Sequence, residues 1–287
     1  MKTYPSKLFL FGEYSVLQGS QALATAYNRF SGQVIFLKKK IKQEFDFQGL
    51  IHYLEALADE NPFFDLKKFK SLVDQGWYFD SNIPIGMGLG SSGALCAAIF
   101  DHCKILGARQ EDILKCLALI EGYFHGKSSG VDPLISYLNT SMFFENLKVF
   151  KSLDKKISIN GMRIFLINTG VSRQANAFIQ IFQKKCQNLG FVKEMKEKYN
   201  PINDLIIKNI IEGREVVDLI SQLSQLQLEF LNEMYTPKMN DLAKSLLDTG
   251  SGYVKLCGAG GGGYYLAFIP NNFNPDDVLI DEDKIEM

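Results

Sequence analysis

Residues 84–93 read Pro-Ile-Gly-Met-Gly-Leu-Gly-Ser-Ser-Gly, and a run of small apolar residues follows at 94–99. The apolar run predicts a closely packed helix that begins where the glycines end. Glycine permits positive φ and lets backbone N–H groups come close to a ligand, and a helix N-terminus adds the positive end of its dipole. The segment therefore predicts an anion site, and phosphate is the anion that most often occupies one.

Two widespread phosphate-binding motifs do not explain this loop. The P-loop pattern G-x-x-x-x-G-K-[ST] occurs nowhere in the chain. The dinucleotide fingerprint G-x-G-x-x-G matches at 88–93 and at 258–263, but it has to follow a hydrophobic strand and open a helix. The first match follows 80–84, a turn-prone stretch that ends in proline, and the second leads into 264–269, which is typical of a strand. Both matches therefore lack the required context.

The composition is that of a chain with a substantial core and little net charge. The 287 residues are 46% hydrophobic with a formal net charge of −1, which argues against a nucleic-acid or polyanion-binding surface. The five cysteines are odd in number and favour buried free thiols in a reducing compartment. The first residues lack the apolar core of a signal peptide, and no apolar run reaches the length of a membrane span. We therefore expect a cytoplasmic protein.

The hydrophobic pattern mixes strands and helices in both halves of the chain. Apolar residues at i, i+3 and i+4 indicate a helix over 111–124, and a hairpin is expected across Glu145 and Asn146. This order predicts an α+β fold with a domain joint near 150–160. Further helices are expected near 51–74, 92–106 and 173–248, and strands near 7–11, 22–37, 162–168, 252–256 and 264–269.

Three further segments contain residues that a plain scaffold would not need. The first places Lys7 at the head of a strand and Glu13 at its end, although these two alone could be a surface lysine and a turn glutamate. The second places Glu121 at a helix end and Asp132 in a Gly/Ser turn. Phosphoryl transfer needs a carboxylate that holds metal and a residue that accepts or orients the proton of the nucleophile. In the third, the glycines at 258–263 cost conformational entropy, so they indicate a close approach to a ligand or another backbone.

Together these segments resemble the GHMP kinases, the family named for galactokinase, homoserine kinase, mevalonate kinase and phosphomevalonate kinase. Three family motifs occur in order, at 7–17, 84–92 and 255–263, and they span nearly the whole chain. The resemblance implies an α+β architecture of two domains with the active site between them. These are an N-terminal ribosomal-protein-like α/β domain over 1–155 and a C-terminal ferredoxin-like α+β domain over 156–287. The resemblance also implies ATP and Mg²⁺ as cofactors and a small-molecule substrate.

Carried over residue by residue, the resemblance implies a role for each matching side chain. Asp132 is the catalytic carboxylate that faces the substrate hydroxyl, and Lys7 lowers the pKa of that hydroxyl or stabilises developing charge. Glu121 and Ser92 hold Mg²⁺ between the β- and γ-phosphates. The nucleotide-binding loop comprises Pro84, Gly86, Gly88, Leu89, Gly90, Ser91 and Ser92. The residues expected near the substrate are Glu13, Tyr14, His125, Arg173 and Gly260.

Details within the motifs leave the substrate open. The pattern E-x-x-x-H-G-x-x-S-G-x-D over 121–132 and the segment 167–173 resemble mevalonate kinases, which implies that mevalonate is converted to 5-phosphomevalonate in isoprenoid precursor synthesis. Tyr14 after Gly-Glu is more similar to phosphomevalonate kinases, and Gly93 and Cys257 replace the usual alanine and threonine or serine. A phosphomevalonate kinase, another GHMP small-molecule kinase and a catalytically silent ligand-binding member are the alternatives. Nucleic-acid and membrane partners are not expected, and a homodimer is possible.

Overall fold

The computed structural model describes residues 1–38, 45–57, 62–107, 109–145, 149–153, 157–172, 175–280 and 282–287. The strands are β1 (Thr3–Phe11), β2 (Gln21–Phe36), β3 (Trp77–Ser81), β4 (Ser141–Glu145), β5 (Val149–Leu153), β6 (Met162–Asn168), β7 (Tyr253–Leu256), β8 (Tyr264–Pro270) and β9 (Lys284–Glu286). The helices are α1 (Phe47–Ala56), α2 (Leu66–Asp74), α3 (Ser91–Cys103), α4 (Gln110–His125), α5 (Val131–Leu138), α6 (Ala175–Lys185), α7 (Leu189–Glu194), α8 (Asn200–Glu212), α9 (Val217–Phe230), α10 (Pro237–Thr249) and α11 (Pro275–Val278). Short 3₁₀ turns lie at Ser15–Gln18 and Asn232–Met234, and a π turn lies at Met195–Tyr199.

The chain forms two compact units that interleave along the sequence. Unit 1 comprises 1–7, 26–84 and 89–140, and unit 2 comprises 8–25, 85–88 and 141–287. Helices combined with antiparallel sheets confirm the predicted α+β class. The sequential division after residue 155 is a different partition of the chain, and it stays a prediction.

In unit 1 the second half of β2 pairs with β3, and aromatic side chains cover the pair. The two strands are antiparallel, from Gly32 opposite Ser81 to Phe36 opposite Trp77. Trp77 is fully buried, and its ring lies edge-on to the ring of Phe47 at a centroid distance of 5.3 Å. The sequence pattern did not predict β3, because the turn-forming residues that follow it dominate the segment.

Helix α3 forms the centre of unit 1. Its residues from Gly93 to Phe100 are all buried, so the helix has no solvent face over this stretch. Small side chains at these positions let α4 and α5 pack closely against it. The predicted helix after the glycine loop is therefore present, and its first turn stays at the surface of this packed group.

The sheet of unit 2 is antiparallel throughout, with the strand order β7-β8-β6-β9. β8 is buried at every position from Tyr264 to Pro270, and helices α9 and α10 pack on the neighbouring strand β7. The predicted hairpin is also present: β4 and β5 pair from Ser141 opposite Leu153 to Glu145 opposite Val149. The glycine-rich turn 258–263 thus connects two strands of a well-buried sheet.

The thiols agree with the expectation from the sequence. All five cysteines are thiols, and four of them are buried: Cys96, Cys103, Cys116 and Cys257. Within the described ranges, no helix is both long enough and apolar enough to cross a membrane.

Candidate active site

Lys7 and Asp132 meet in unit 1 although they lie far apart in the sequence. The Nζ atom of Lys7 lies 2.7 Å from Oδ2 of Asp132. The lysine belongs to β1 and its side chain is 7% exposed, whereas the aspartate stands in the first turn of α5 with its side chain 33% exposed. The pair therefore combines a buried cation with a carboxylate that keeps one side open to solvent.

The end of the glycine loop is attached to the same strand. The backbone N–H of Lys7 donates to the carbonyl of Leu89 at 2.9 Å, and Leu89 itself is buried. Gly90 follows with φ of 74° and caps the start of α3. The first N–H groups of a helix have no intrahelical partner and carry the positive end of the dipole. The end of the loop therefore places the N-terminus of α3 beside Lys7, where the sequence predicts an anion site.

Gly93 allows α3 to approach the helix that carries Asp132. A Cβ atom at position 93 would lie 3.1 Å from Cβ of Asp132 and 3.1 Å from the nitrogen of Pro133. These distances are shorter than ordinary carbon contacts, so even alanine would require a small shift. Gly93, which replaces the alanine usual in the family, therefore allows α3 to lie against the first turn of α5.

Glu121 is buried in α4 close to the Lys7–Asp132 pair. The Ser128 hydroxyl donates to its Oε2 atom, and the residue is 5% exposed. Burial and, to a smaller extent, the negative charge of Asp132 raise the pKa of Glu121 to about 7, against the opposing effects of Ser128 and Lys7. A cation bound near this buried carboxylate would favour its charged form and so lower its pKa.

Ser92 and His125 form a second polar contact at the start of α3. The Ser92 Oγ atom lies 2.9 Å from Nε2 of His125, which is the last residue of α4. The helices α3 and α4 that carry Ser92 and Glu121 pack against each other. This contact orients the Ser92 hydroxyl at the start of α3, beside the predicted anion site.

The oxygen atoms of Glu121 and Ser92 fit the needs of Mg²⁺. This ion prefers hard oxygen ligands and usually binds through one or two carboxylates, substrate phosphates and several waters. No cluster of three or more His, Cys, Asp or Glu side chains that could hold a metal occurs in the described part of the chain. A magnesium ion bound together with ATP phosphates does not need such a cage, so the donor set agrees with the predicted metal.

Apart from His125, the described residues that were predicted to lie near the substrate belong to unit 2. Glu13 forms a buried ion pair with Lys255, with 2.5 Å between Oε1 and Nζ. The Tyr14 hydroxyl donates to the carbonyl of Ala259 at 2.7 Å. Gly260 stands in the glycine turn with φ of 74°. Arg173 lies outside the described residues.

The structure thus brings the predicted residues together in two groups. Unit 1 holds Lys7, Pro84, Leu89, Gly90, Ser91, Ser92, Glu121, His125 and Asp132, and unit 2 holds Glu13, Tyr14, Gly86, Gly88 and Gly260. Sequence reasoning gave no role to Ser128 or Lys255. Ser128 follows His-Gly-Lys in a Gly/Ser turn that could have suggested a partner for Glu121, whereas only the fold reveals the partner of Lys255.

Comparison with known proteins supports the family resemblance. Residues 50–140 match the family model described as the GHMP kinases N terminal domain. The mevalonate kinase of Pyrococcus furiosus is 24% identical in an alignment that covers 93% of this chain and 88% of that protein.

Solved structures show the same fold. The crystal structure of L. major mevalonate kinase in complex with R-mevalonate has a TM-score of 0.64 and 17% identity, covering 96% of this chain and 89% of that one. Streptococcus pneumoniae phosphomevalonate kinase in complex with phosphomevalonate and AMPPNP has a TM-score of 0.66 and 15% identity, covering 100% and 99%.

Residues 50–140 thus match the N-terminal domain of the GHMP kinases, and the solved structures confirm the predicted two-domain α+β fold class. The proteins of Pyrococcus furiosus and Archaeoglobus fulgidus, which match 93% and 98% of this chain, are both mevalonate kinases. The match to that domain and the mevalonate kinases among the relatives indicate an ATP-dependent kinase.

Proposed function

We propose that this protein transfers the γ-phosphoryl group of ATP to the 5-hydroxyl of mevalonate. The observation that carries the proposal is the Lys7–Asp132 pair, which lies directly beside the end of the glycine loop. The similarity to mevalonate kinases over 93% of the chain supports the choice of substrate.

Asp132 would act on the substrate hydroxyl. Its partly exposed carboxylate can accept the hydroxyl proton or orient it while the oxygen attacks the γ-phosphorus. One O–P bond forms to the substrate, the bond between phosphorus and the ADP oxygen breaks, and the proton passes to Asp132. Lys7 holds the carboxylate in place through the 2.7 Å contact and places positive charge beside the reacting oxygen.

The loop and the two helices would bind the nucleotide. The amides of 86–92 and the first turn of α3 would surround the phosphates, since helix N-termini stabilise anions. Glu121 and Ser92 would hold Mg²⁺, which when bound neutralises charge on the β- and γ-phosphates. Positioning and charge neutralisation supply most of the rate enhancement in phosphoryl transfer.

A purified-protein assay with ATP, Mg²⁺ and mevalonate tests the proposal. Formation of ADP and 5-phosphomevalonate in equal amounts is the expected result. Turnover of phosphomevalonate or a sugar, with none of mevalonate, would contradict the substrate assignment.

Phosphomevalonate kinase is the second candidate, because Tyr14 follows Gly-Glu as in that branch of the family. A substrate that already carries a phosphate demands additional positive charge in its pocket. The same assay with phosphomevalonate as the acceptor separates the two candidates.

The cytoplasmic location, the absence of nucleic-acid and membrane partners and the homodimer are further proposals from composition and family resemblance. Light scattering of the purified protein measures its mass and tests the homodimer directly.

A further inference from the structure

Unit 2 contains a buried ion pair that the proposed chemistry does not use. The side chains of Glu13 and Lys255 are 2% and 1% exposed, and their charged atoms lie 2.5 Å apart. Lys255 Nζ also donates to the carbonyl of Leu256 at 2.6 Å. Desolvation of two charges is costly, and a hydrophobic pair of similar volume often stabilises a fold equally well. The pair therefore calls for an explanation beyond stability.

The residue after Glu13 contacts the chain just beyond Lys255. The Tyr14 hydroxyl donates to Ala259 at 2.7 Å, and the Tyr14 ring packs on the ring of Phe182 with a centroid distance of 4.7 Å. Tyr14 has φ of 59°, which is rare for a bulky side chain and persists only where surrounding contacts impose it. The consecutive residues Glu13 and Tyr14 thus contact Lys255 and Ala259, which lie where the chain enters the glycine turn.

The C-terminal end of this turn contacts the middle of the glycine loop 84–93. The backbone N–H of Tyr264 donates to the carbonyl of Met87 at 3.3 Å. A Cβ atom on Gly263 would lie 2.4 Å from the same carbonyl oxygen, so only glycine permits the contact. The backbone of Gly263 also donates to Val171 at 2.7 Å, which holds the turn from a second side.

We propose that Glu13 and Tyr14 are positioning residues for nucleotide binding. Through their contacts with Lys255 and Ala259 they fix the position of the turn 258–263 against Met87. The turn then fixes the conformation in which the glycine loop 84–93 binds nucleotide. This inference rests on the proposed kinase function. It differs from the sequence-based expectation that Glu13 and Tyr14 face the substrate, because Oε1 of Glu13 and the hydroxyl of Tyr14 contact Lys255 and Ala259 of the third motif. The effect of each residue should therefore appear in nucleotide binding.

The test measures the affinity for a non-hydrolysable ATP analogue with Mg²⁺ by calorimetry, together with the KM for mevalonate and the melting temperature. Tyr14→Phe removes only the hydroxyl and should fold normally. We expect it to weaken analogue binding by about tenfold, a loss within the range for small displacements at a site. The KM for mevalonate, measured at saturating ATP, should stay near the wild-type value.

The ion pair is tested with Glu13→Gln and with the double variant Glu13→Gln/Lys255→Met. The single variant leaves a buried charge unpaired and should lower the melting temperature, whereas the double variant should recover most of that loss. Analogue affinity should remain reduced in both. A matched control, Arg163→Met/Glu286→Gln, removes an exposed ion pair of unit 2 and should leave analogue affinity unchanged.

The outcomes separate this inference from the proposed function. Recovery of both melting temperature and analogue affinity in the double variant would show that the pair only stabilises the fold and would overturn the inference. A raised KM for mevalonate with unchanged analogue affinity in Tyr14→Phe would overturn it too, in favour of direct substrate contact. Wild-type protein that binds no analogue would contradict the proposed kinase function itself.

Discussion

Lys7 and Asp132 form an ion pair with 2.7 Å between Nζ and Oδ2, and the two side chains differ in exposure, at 7% and 33%. The lysine belongs to the mostly buried strand β1, and the aspartate stands at the start of α5. A carboxylate that is held by a buried lysine and is open to solvent on its other side can receive a proton from an incoming hydroxyl group. This relationship is the basis of the proposed reaction.

Asp132→Asn should abolish most of the turnover. The substitution keeps the size of the side chain but removes its ability to take up a proton, so kcat should fall by roughly a hundredfold or more. Steady-state kinetics measure this fall, and calorimetry with the ATP analogue should show nucleotide affinity close to the wild-type value. Near-normal kcat in a folded variant would contradict the role of Asp132.

Glu121→Gln should increase the Mg²⁺ concentration that the enzyme requires. Removal of one carboxylate ligand should raise the half-saturating concentration by about tenfold or more, a loss that even outer-shell substitutions can cause. Initial rates measured against free Mg²⁺ at saturating ATP provide the test. Ser128→Ala is the matched control, since it removes only the hydroxyl that donates to Glu121, and it should shift the requirement less. An unchanged requirement in Glu121→Gln would exclude Glu121 as a ligand.

A graded series at position 93 should displace Asp132. Alanine there meets Cβ of Asp132 at 3.1 Å, and valine adds two methyl groups at the same place. Valine should therefore lower kcat by about tenfold or more, since small displacements of reacting groups are costly, and overpacking should cost about 1–3 kcal/mol of stability. Alanine should have a smaller effect on kcat. Equal kcat in folded alanine and valine variants would contradict the close approach of α3 to α5.

Asp101 should contribute to stability in a pH-dependent manner. Burial opposes its charged form, but hydrogen bonds from Lys104, Lys2 and Tyr4 outweigh that effect and lower the pKa of Asp101 to about 2. A lowered pKa means that the carboxylate stabilises the fold above its unfolded value of 3.8 and loses this contribution as the pH falls towards 2.

Urea unfolding of Asp101→Asn tests this contribution. At pH 7 the variant should be less stable by about 1–2 kcal/mol, allowing for partial solvent screening. The difference from wild type should shrink as the pH falls from 4 to about 2, through the interval between the two pKa values. Glu286→Gln, at an exposed ion pair, should have little effect at either pH. A difference for Asp101→Asn that grows on acidification would contradict the assignment.

The local motifs could be predicted from the sequence because each one is a short pattern with a chemical reason. The glycines of 84–93, the helix that follows them and the buried sheet strand over 264–269 all appear where their patterns indicated. β3 was missed because only Trp77 to Phe79 carry an apolar signal, and Asp80 and Ser81 read as the start of a turn although they still pair with β2.

Contacts between distant segments could not be derived from local patterns. Glu13 and Lys255 are separated by 242 positions, and no spacing rule links them. The close approach of Gly93 to Asp132 also depends on how α3 packs on α5, which a glycine in a helical run does not specify. The family resemblance supplied roles for Lys7 and Asp132, but their direct contact is visible only in the fold.

The most direct test of the central claim is the rate of ADP formation by the purified protein with ATP, Mg²⁺ and R-mevalonate, measured for wild type and Asp132→Asn side by side. We predict that wild type forms ADP and 5-phosphomevalonate in equal amounts, and that the variant loses roughly 99% of this rate while it still binds nucleotide. Absence of mevalonate-dependent ADP formation in wild type that binds nucleotide, or equal rates in wild type and variant, would contradict the account.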